Sequence, residues 1–252
     1  MAQTEFCIFG RKPIIEAYSA GKRFDKVLVL KGAMGEDIKN IQALVKQHDT
    51  PAQYVPKEKI ESVLRKYFPG KELNHQGIVG FLSIIDYFSI DDVLHDAYSK
   101  AESPLLVVLD GVTDVGNFGA IARSAECFGV HGLILPATGS AQINAEAIKA
   151  SAGALNRIHV CREKSIITAV KLLKANGIKV YGTDMKKAVP LSKVDLKEPI
   201  AIVMGAEGSG ITPDVAKLCD GMIAIPMKGE TDSLNVSVAA GIILHEALNQ
   251  RA

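Results

Sequence analysis

Cysteine is scarce in this chain, and its four copies never fall together. Cys7, Cys127, Cys161 and Cys219 include no CxxC pair. Neither a zinc site nor a disulfide frame is expected from them; buried, reduced thiols in a cytoplasmic protein are. The six histidines, at 48, 75, 95, 131, 159 and 245, show no HxxxH or HExxH spacing, so metal catalysis has no support. No apolar run reaches the ~18 residues that span a bilayer. The opening MAQTEFCIFGRK lacks a basic stretch followed by an apolar core, and no signal peptide is expected.

What is present is ordinary for a globular protein. The 252 residues are 48% apolar and 23% charged, enough for one large or two small domains. A net charge of +1 conceals an asymmetry: residues 1–80 carry 13 Lys/Arg against 9 Asp/Glu (+4), and residues 81–252 carry 16 against 19 (−3). Arg11, Lys12, Lys22 and Arg23 stand close together in the N-terminal third. They suggest a grip for a polyanion such as RNA, although solvated surface residues give the same pattern.

Up to residue 85 the sequence alternates amphipathic helices (GRKPIIEAYSAG, EDIKNIQALVKQHD, KEKIESVLRKYF) with strands (FDKVLVLKG, GIVGFLSI). Residues 86–103 are charged, with sparse apolar positions, and read as a linker or bridging helix. From Pro104 the texture changes to continuous apolar strands, among them LLVVLD, GLILP, PIAIVMG and MIAIPM, separated by helical patterns. Uninterrupted apolar strands alternating with helices predict a parallel sheet covered on both faces.

Three motifs stand at strand-to-helix turns of this second part. In DGVTDVGNFGAIARSAECFGV, Asn117 can cap a helix whose apolar face oddly carries Arg123. IVMGAEGSGIT holds Gly205, Gly208 and Gly210 around Glu207, with GxxGxG spacing; this is neither the GxGxxG of dinucleotide folds nor a P-loop. IPMKGETDSLNVSVAAG places Ser233, Leu234 and Asn235 at the start of a long helix. Alone, Ser and Asn there read as helix caps; orphan N–H groups at such a terminus also suit a ligand.

Taken in order, NxGAIxR, MGAEGxG and IPM…SLNVSVAAG resemble the SpoU/TrmH family of RNA ribose 2′-O-methyltransferases. Val115 stands where that family commonly has proline. The opening IFGRKPIIEAY and the closing Asn74-His75-Gln76-Gly77 are similar to the small L30e-like RNA-binding domain preceding many members. The two-domain plan looks most like the 23S rRNA guanosine 2′-O-methyltransferases. The resemblance implies an α/β SPOUT fold, a parallel sheet with a C-terminal trefoil knot. It implies domains at 1–85 (RNA substrate binding) and 104–252 (methyltransferase), joined by the 86–103 linker.

It further implies S-adenosyl-L-methionine as cofactor, held by Thr183, Gly205, Ile225, Met227 and Leu234. Asn117, Arg123, Glu207, Ser233 and Asn235 would carry the chemistry, Arg11, Lys12, Lys22 and Arg23 the RNA, and a homodimer the complete site. The expected reaction is methyl transfer to a ribose 2′-hydroxyl, of rRNA or of tRNA. A non-catalytic RNA-binding or ribosome-assembly factor on the same fold has little use for all five chemical residues. A nucleotide-dependent oxidoreductase predicts GxGxxG after the first strand, where this chain has DVGNFGA.

Overall fold

The computed structural model describes residues 6–184, 188–231 and 233–252. The chain divides into two compact units, Met1–Ile84 and Ile85–Ala252.

Unit 1 runs β1 (Cys7–Phe9), α1 (Arg11–Ser19), β2 (Phe24–Leu30), α2 (Glu36–Gln47), β3 (Ala52–Val55), α3 (Lys57–Tyr67) and β4 (Ile78–Leu82). Its sheet has the order β1-β4-β2-β3, with β2 and β3 parallel and the other pairs antiparallel. Neighbouring side chains of a strand point to opposite faces. Val27 and Val29 therefore pack with Ile14, Tyr18 and Ile41 of α1 and α2, while Leu28 packs with Ile60 and Leu64 of α3.

The pairing register sets which loops meet. Phe9 pairs with Val79, Val29 with Ile78, and Leu30 with Val55. The ends of β1, β2 and β3 and the start of β4 thus lie at one end of the sheet, together with the N-termini of all three helices. Gly10 has no side chain to cap α1, and Gln76 substitutes for it. Its Oε1 accepts the Arg11 N–H at 3.0 Å, and its carbonyl accepts the Arg11 Nε–H at 3.2 Å. Gln76 holds a left-handed φ of 51°, rare for a residue with a Cβ. The basic residues grouped by the sequence are split by this geometry. Arg11 and Lys12 begin α1, whereas Lys22 and Arg23 follow its far end, a helix length away.

Unit 2 runs α4 (Ile90–Ser99), β5 (Leu105–Asp110), α5 (Val115–Cys127), β6 (Gly132–Pro136), α6 (Ala145–Ala150), β7 (His159–Glu163), α7 (Ile166–Ala175), β8 (Lys179–Thr183), β9 (Val189–Pro190), β10 (Ile200–Gly205), α8 (Pro213–Ala216), β11 (Gly221–Ala224) and α9 (Val236–Arg251). The seven strands form one parallel sheet in the order β7-β6-β5-β10-β8-β11-β9. Leu106, Val108, Ala201 and Val203 face α4, α7 and α8. The alternate residues Leu105, Val107 and Leu109 are equally buried on the opposite face. There α5, α6 and α9 pack together, with α9 against β10. The sheet therefore has the two-sided cover that its unbroken apolar strands require.

Of the two readings of residues 86–103, linker or bridging helix, the chain forms a helix, and α4 does not merely bridge: it buries Ile90, Val93, Leu94 and Ala97 in unit 2. The spacing i, i+3, i+4, i+7 is one helix face, and Ser89 with Asp92 closes a capping box in front of it. Against expectation, the thiols are not all buried. Cys7 and Cys161 are, and burial pushes both up to about 12. Cys127 is exposed at the end of α5.

The lateral order of the late strands decides where the site forms. β10 enters between β5 and β8, and β11 enters between β8 and β9. Both late strands occupy places flanked by strands that precede them in the chain.

Candidate active site

Asp110 ends β5 directly beside Gly205, the end of β10, and Thr183 of β8 pairs with Ile223 of β11. Four adjacent strands thus end together. Ligands of open parallel sheets bind outside such carboxyl ends. The strand ends, the loops leaving this edge and the first turn of α5 carry every candidate site residue of the second part of the chain except Arg123, which lies further along α5.

Asp114, not Asn117, caps α5: its Oδ1 accepts the Asn117 N–H at 2.7 Å. With the cap supplied three residues earlier, the Asn117 side chain is free to turn into the site. Asn235 does cap α9. Its Oδ1 accepts the Ser237 N–H at 2.9 Å, the Ser237 hydroxyl at 2.6 Å and the Val238 N–H at 3.3 Å. Three donors on the oxygen fix the amide's orientation, because the NH2 group must then point the other way. It donates to Asn117 Oδ1 at 2.9 Å and to Glu207 Oε1. One asparagine therefore caps a helix and joins three separate motifs.

The glycine loop is built by crowding. A Cβ on Gly205 would overlap the backbone of Gly210 and Ile211, which crosses directly over it. Ala206 and Gly210 exchange backbone hydrogen bonds of 3.1 and 2.9 Å, closing a tight turn that displays Glu207 to solvent. Gly208 and Gly210 take the positive φ values this turn needs, 85° and 68°. The far end of the loop is tied to β5. Asp110, only 8% exposed, accepts the Thr212 N–H at 2.7 Å and the Thr212 hydroxyl at 2.8 Å on Oδ2. Sequence reasoning missed that role, though an Asp ending an otherwise apolar buried strand was a visible signal. Asp110→Ala is expected to destabilise the protein by about 2–4 kcal/mol, since two hydrogen bonds to a buried charge are lost. Urea unfolding measures it, and a loss below about 0.5 kcal/mol would remove the tie.

The remaining site residues lie around this cluster. Thr183 gives its hydroxyl to the Val203 carbonyl at 3.1 Å, which locks the end of β8 to β10. Ile225, Met227 and Leu234 lie on the irregular stretch between β11 and α9 and make no hydrogen bond among the described residues. Ser233 is exposed, two positions before the cap rather than in it. Arg123 is exposed on α5 and has no hydrogen bond or ion pair among the described residues. Six residues beyond Asn117 put it about 9 Å along the axis and on a different face. The geometry unites Asn117, Glu207 and Asn235 and leaves Arg123 outside.

Residues 104–245, more than half of the chain, match the model of the SpoU rRNA Methylase family. The chain belongs to the SpoU family. Residues 7–88 match a second model, RNA 2′-O ribose methyltransferase substrate binding. This SpoU chain is 30% identical over 251 residues, and 98% of the relative's length, to the Putative TrmH family tRNA/rRNA methyltransferase YacO of Bacillus subtilis. It is 41% identical over 178 residues to an uncharacterized tRNA/rRNA methyltransferase of Synechocystis, spanning 46% of that longer protein. The SpoU methyltransferase AviRb of Streptomyces viridochromogenes, solved with AdoMet, superposes with a TM-score of 0.60 at 26% identity. That match covers 98% of this chain and 90% of AviRb. As a SpoU protein the chain is an RNA methyltransferase. Among its described residues no helix is long and apolar enough to cross a membrane, and no group of His, Cys, Asp and Glu is arranged to hold a metal ion.

Proposed function

We propose that the chain transfers a methyl group from S-adenosylmethionine to a ribose 2′-hydroxyl of RNA, with a guanosine of 23S rRNA as the target. The observation that carries this reading is the Asn117–Asn235–Glu207 cluster at the shared end of four parallel strands. The fit to the cofactor rests on the loops beside it. Gly205 keeps the floor of the edge free of side chains, and the backbone of Ile225, Met227 and Leu234 is not spent on hydrogen bonds among the described residues. Backbone N–H and C=O groups there suit an adenine, with apolar side chains around it. Thr183 lines the same edge. When bound, S-adenosylmethionine supplies an electrophilic methyl carbon on a sulfonium.

The chain must then position a weakly acidic hydroxyl and relieve it of its proton. Asn117 accepts through its Oδ1, which leaves its NH2 to donate outward to the ribose. Glu207, engaged through one oxygen, keeps the other for a hydroxyl or for ordering its loop. Ser233, exposed beside them, is the further hydroxyl in reach of the ribose. Arg123 acts as a clamp on RNA phosphate and on the developing alkoxide, not as a base, because guanidinium stays protonated in proteins. Arg123→Lys is expected to lower kcat about tenfold or more with little change in cofactor affinity. A lysine enzyme at near wild-type rate would eliminate the clamp.

A homodimer accounts for Arg123 standing apart. Gly116, Ala120, Arg123 and Cys127 form one stripe of α5, and α9 beside it exposes Val238, Ile242 and Leu248. Small and apolar residues there fit a second copy, whose site would receive Arg123. An active monomer in sedimentation would refute this part. The insertion of β11 between β8 and β9 supports a threaded, knotted C-terminal segment, and the proposed compartment is the cytoplasm.

Mapping ribose methylation in rRNA and tRNA from cells with and without the gene tests the whole. Loss of one guanosine 2′-O-methyl mark in the large-subunit rRNA is expected. The tRNA/rRNA names of the relatives favour a tRNA ribose as the second reading, and a tRNA change would establish it.

A further inference from the structure

The Asn74-His75-Gln76-Gly77 loop has no part in the chemistry above, yet it is tightly held. Gln76 is left-handed, and its side chain and carbonyl are both committed to Arg11. His75 Nδ1 accepts the Gly77 N–H at 3.0 Å, so the ring is fixed as well. This loop and the segment leading to it form one wall of a groove. The outward side of α3 forms the other.

The groove encloses about 830 Å³, within the ~300–1,000 Å³ of small-molecule sites. Its lining is sorted by chemistry. Leu73 and the methylene stems of Lys57, Arg65 and Lys71 supply apolar surface above the buried Leu64; Asn74, His75 and Gln76 supply polar groups; Lys57, Arg65 and Lys71 supply positive charge, against the carboxylates of Glu61 and Glu72. Glu61 lies 3.5 Å from Lys57 and 3.9 Å from Arg65, exposed pairs that an RNA phosphate on Lys57 would replace, and Glu72 is the other carboxylate of the lining. At the same end of the sheet, Arg11 lines an adjoining cavity with Gln76 and Gly77.

We propose that this groove takes one unpaired nucleotide of the substrate RNA. Its base lies on Leu73, with its edge to Asn74 and His75. The flanking phosphates lie on Lys57 and Lys71. Apolar floor, amide and imidazole groups, and cations at the rim are what single-stranded RNA recognition uses. A paired nucleotide does not fit, because its base edge is already hydrogen-bonded and its faces are stacked. The inference rests on the reading of the chain as an RNA enzyme and goes beyond it by locating the grip. It concentrates RNA contacts at the Arg11 end of unit 1, away from Lys22 and Arg23.

The test is fluorescence anisotropy on the full chain without S-adenosylmethionine. The probes are a labelled 20-nucleotide single-stranded RNA of mixed sequence and the same strand in a duplex. Lys57→Gln/Lys71→Gln is expected to weaken single-strand binding about tenfold and to flatten the slope of log K against log salt by about 1.4, two phosphate contacts at ~0.7 each. Lys39→Gln/Lys46→Gln removes the same charge from the exposed side of α2 and is expected to change neither. Unaltered thermal melting shows that both variants are folded. Equal losses in the two variants, no loss in either, or a duplex bound as tightly as the single strand would each overturn the groove. Because the assay reads no methyl transfer, the two proposals fail separately. A chain that binds through the groove but methylates nothing sinks only the proposed function. A chain that methylates RNA with affinity unchanged in the groove variant sinks only the groove.

Discussion

Asn235→Asp is expected to lose methyl transfer by about 100-fold or more, the scale of removing an oriented donor from a reacting site, while keeping the cap of α9. The reason is the division of labour within one amide. Its oxygen caps α9, and aspartate caps as well as asparagine. Its NH2 group joins Asn117 to Glu207, and a carboxylate there replaces the donor with a charge facing Glu207. Two carboxylates at contact distance share one proton, with one pKa strongly raised. Residual activity of this variant should therefore rise as pH falls, because the shared proton restores a donor between residues 235 and 207. Glu207→Gln in the same chain should relieve the repulsion at neutral pH. Asn235→Ala lowers turnover too, but it also removes the cap at about 1 kcal/mol. Turnover should fall more than cofactor affinity in both variants. Equal losses in the two would mean that Asn235 only builds the pocket.

Gly205→Ala is expected to be the most damaging one-carbon change in the chain. The added Cβ would meet backbone at Gly210 and Ile211 rather than the end of a flexible side chain, so the loop must move. Overpacking of this kind costs about 1–3 kcal/mol, and the displaced loop carries Glu207. Cofactor affinity should fall about 100-fold, equivalent to about 2.7 kcal/mol, as read by calorimetry. Gly208→Ala separates crowding from conformation. Nothing lies within 4 Å of a Cβ there, so only the strain of φ 85° remains, about 1–2 kcal/mol. If the two alanine variants bind cofactor alike, the crossing at Gly205 does not shape the site.

The sequence carried the elements better than their arrangement. LLVVLD and IAIVMG are unbroken apolar runs, and both became central strands because only two-sided burial makes such runs favourable. Gathering Asn117, Glu207 and Asn235 was legible through the order of their motifs. Which asparagine caps which helix was not. Asp114 and Asn117 are both good caps three residues apart, and helix ends are uncertain by about that much. Periodicity says nothing of lateral order either, so the places of β10 and β11 could not be read from it. At α4 a helix was legible as one of two readings, but not that its face enters the core of unit 2. For the basic residues, proximity along the chain became separation once α1 formed between Arg11-Lys12 and Lys22-Arg23.

The placement of β10 also has a consequence in time. Ile200 pairs with Leu105, so about 95 residues must be synthesised before β5 gains its inner neighbour, roughly 5–20 s at ribosomal speed. Throughout that interval β5, and only late in it β8 as well, presents an open hydrogen-bonding edge of largely apolar strand, the kind of surface that recruits other chains. The residues that close the gap bring Gly205 and Glu207 to the edge, while Asn235 follows only after β11. The gap between β5 and β8 is therefore sealed before the Asn117–Asn235–Glu207 cluster can form.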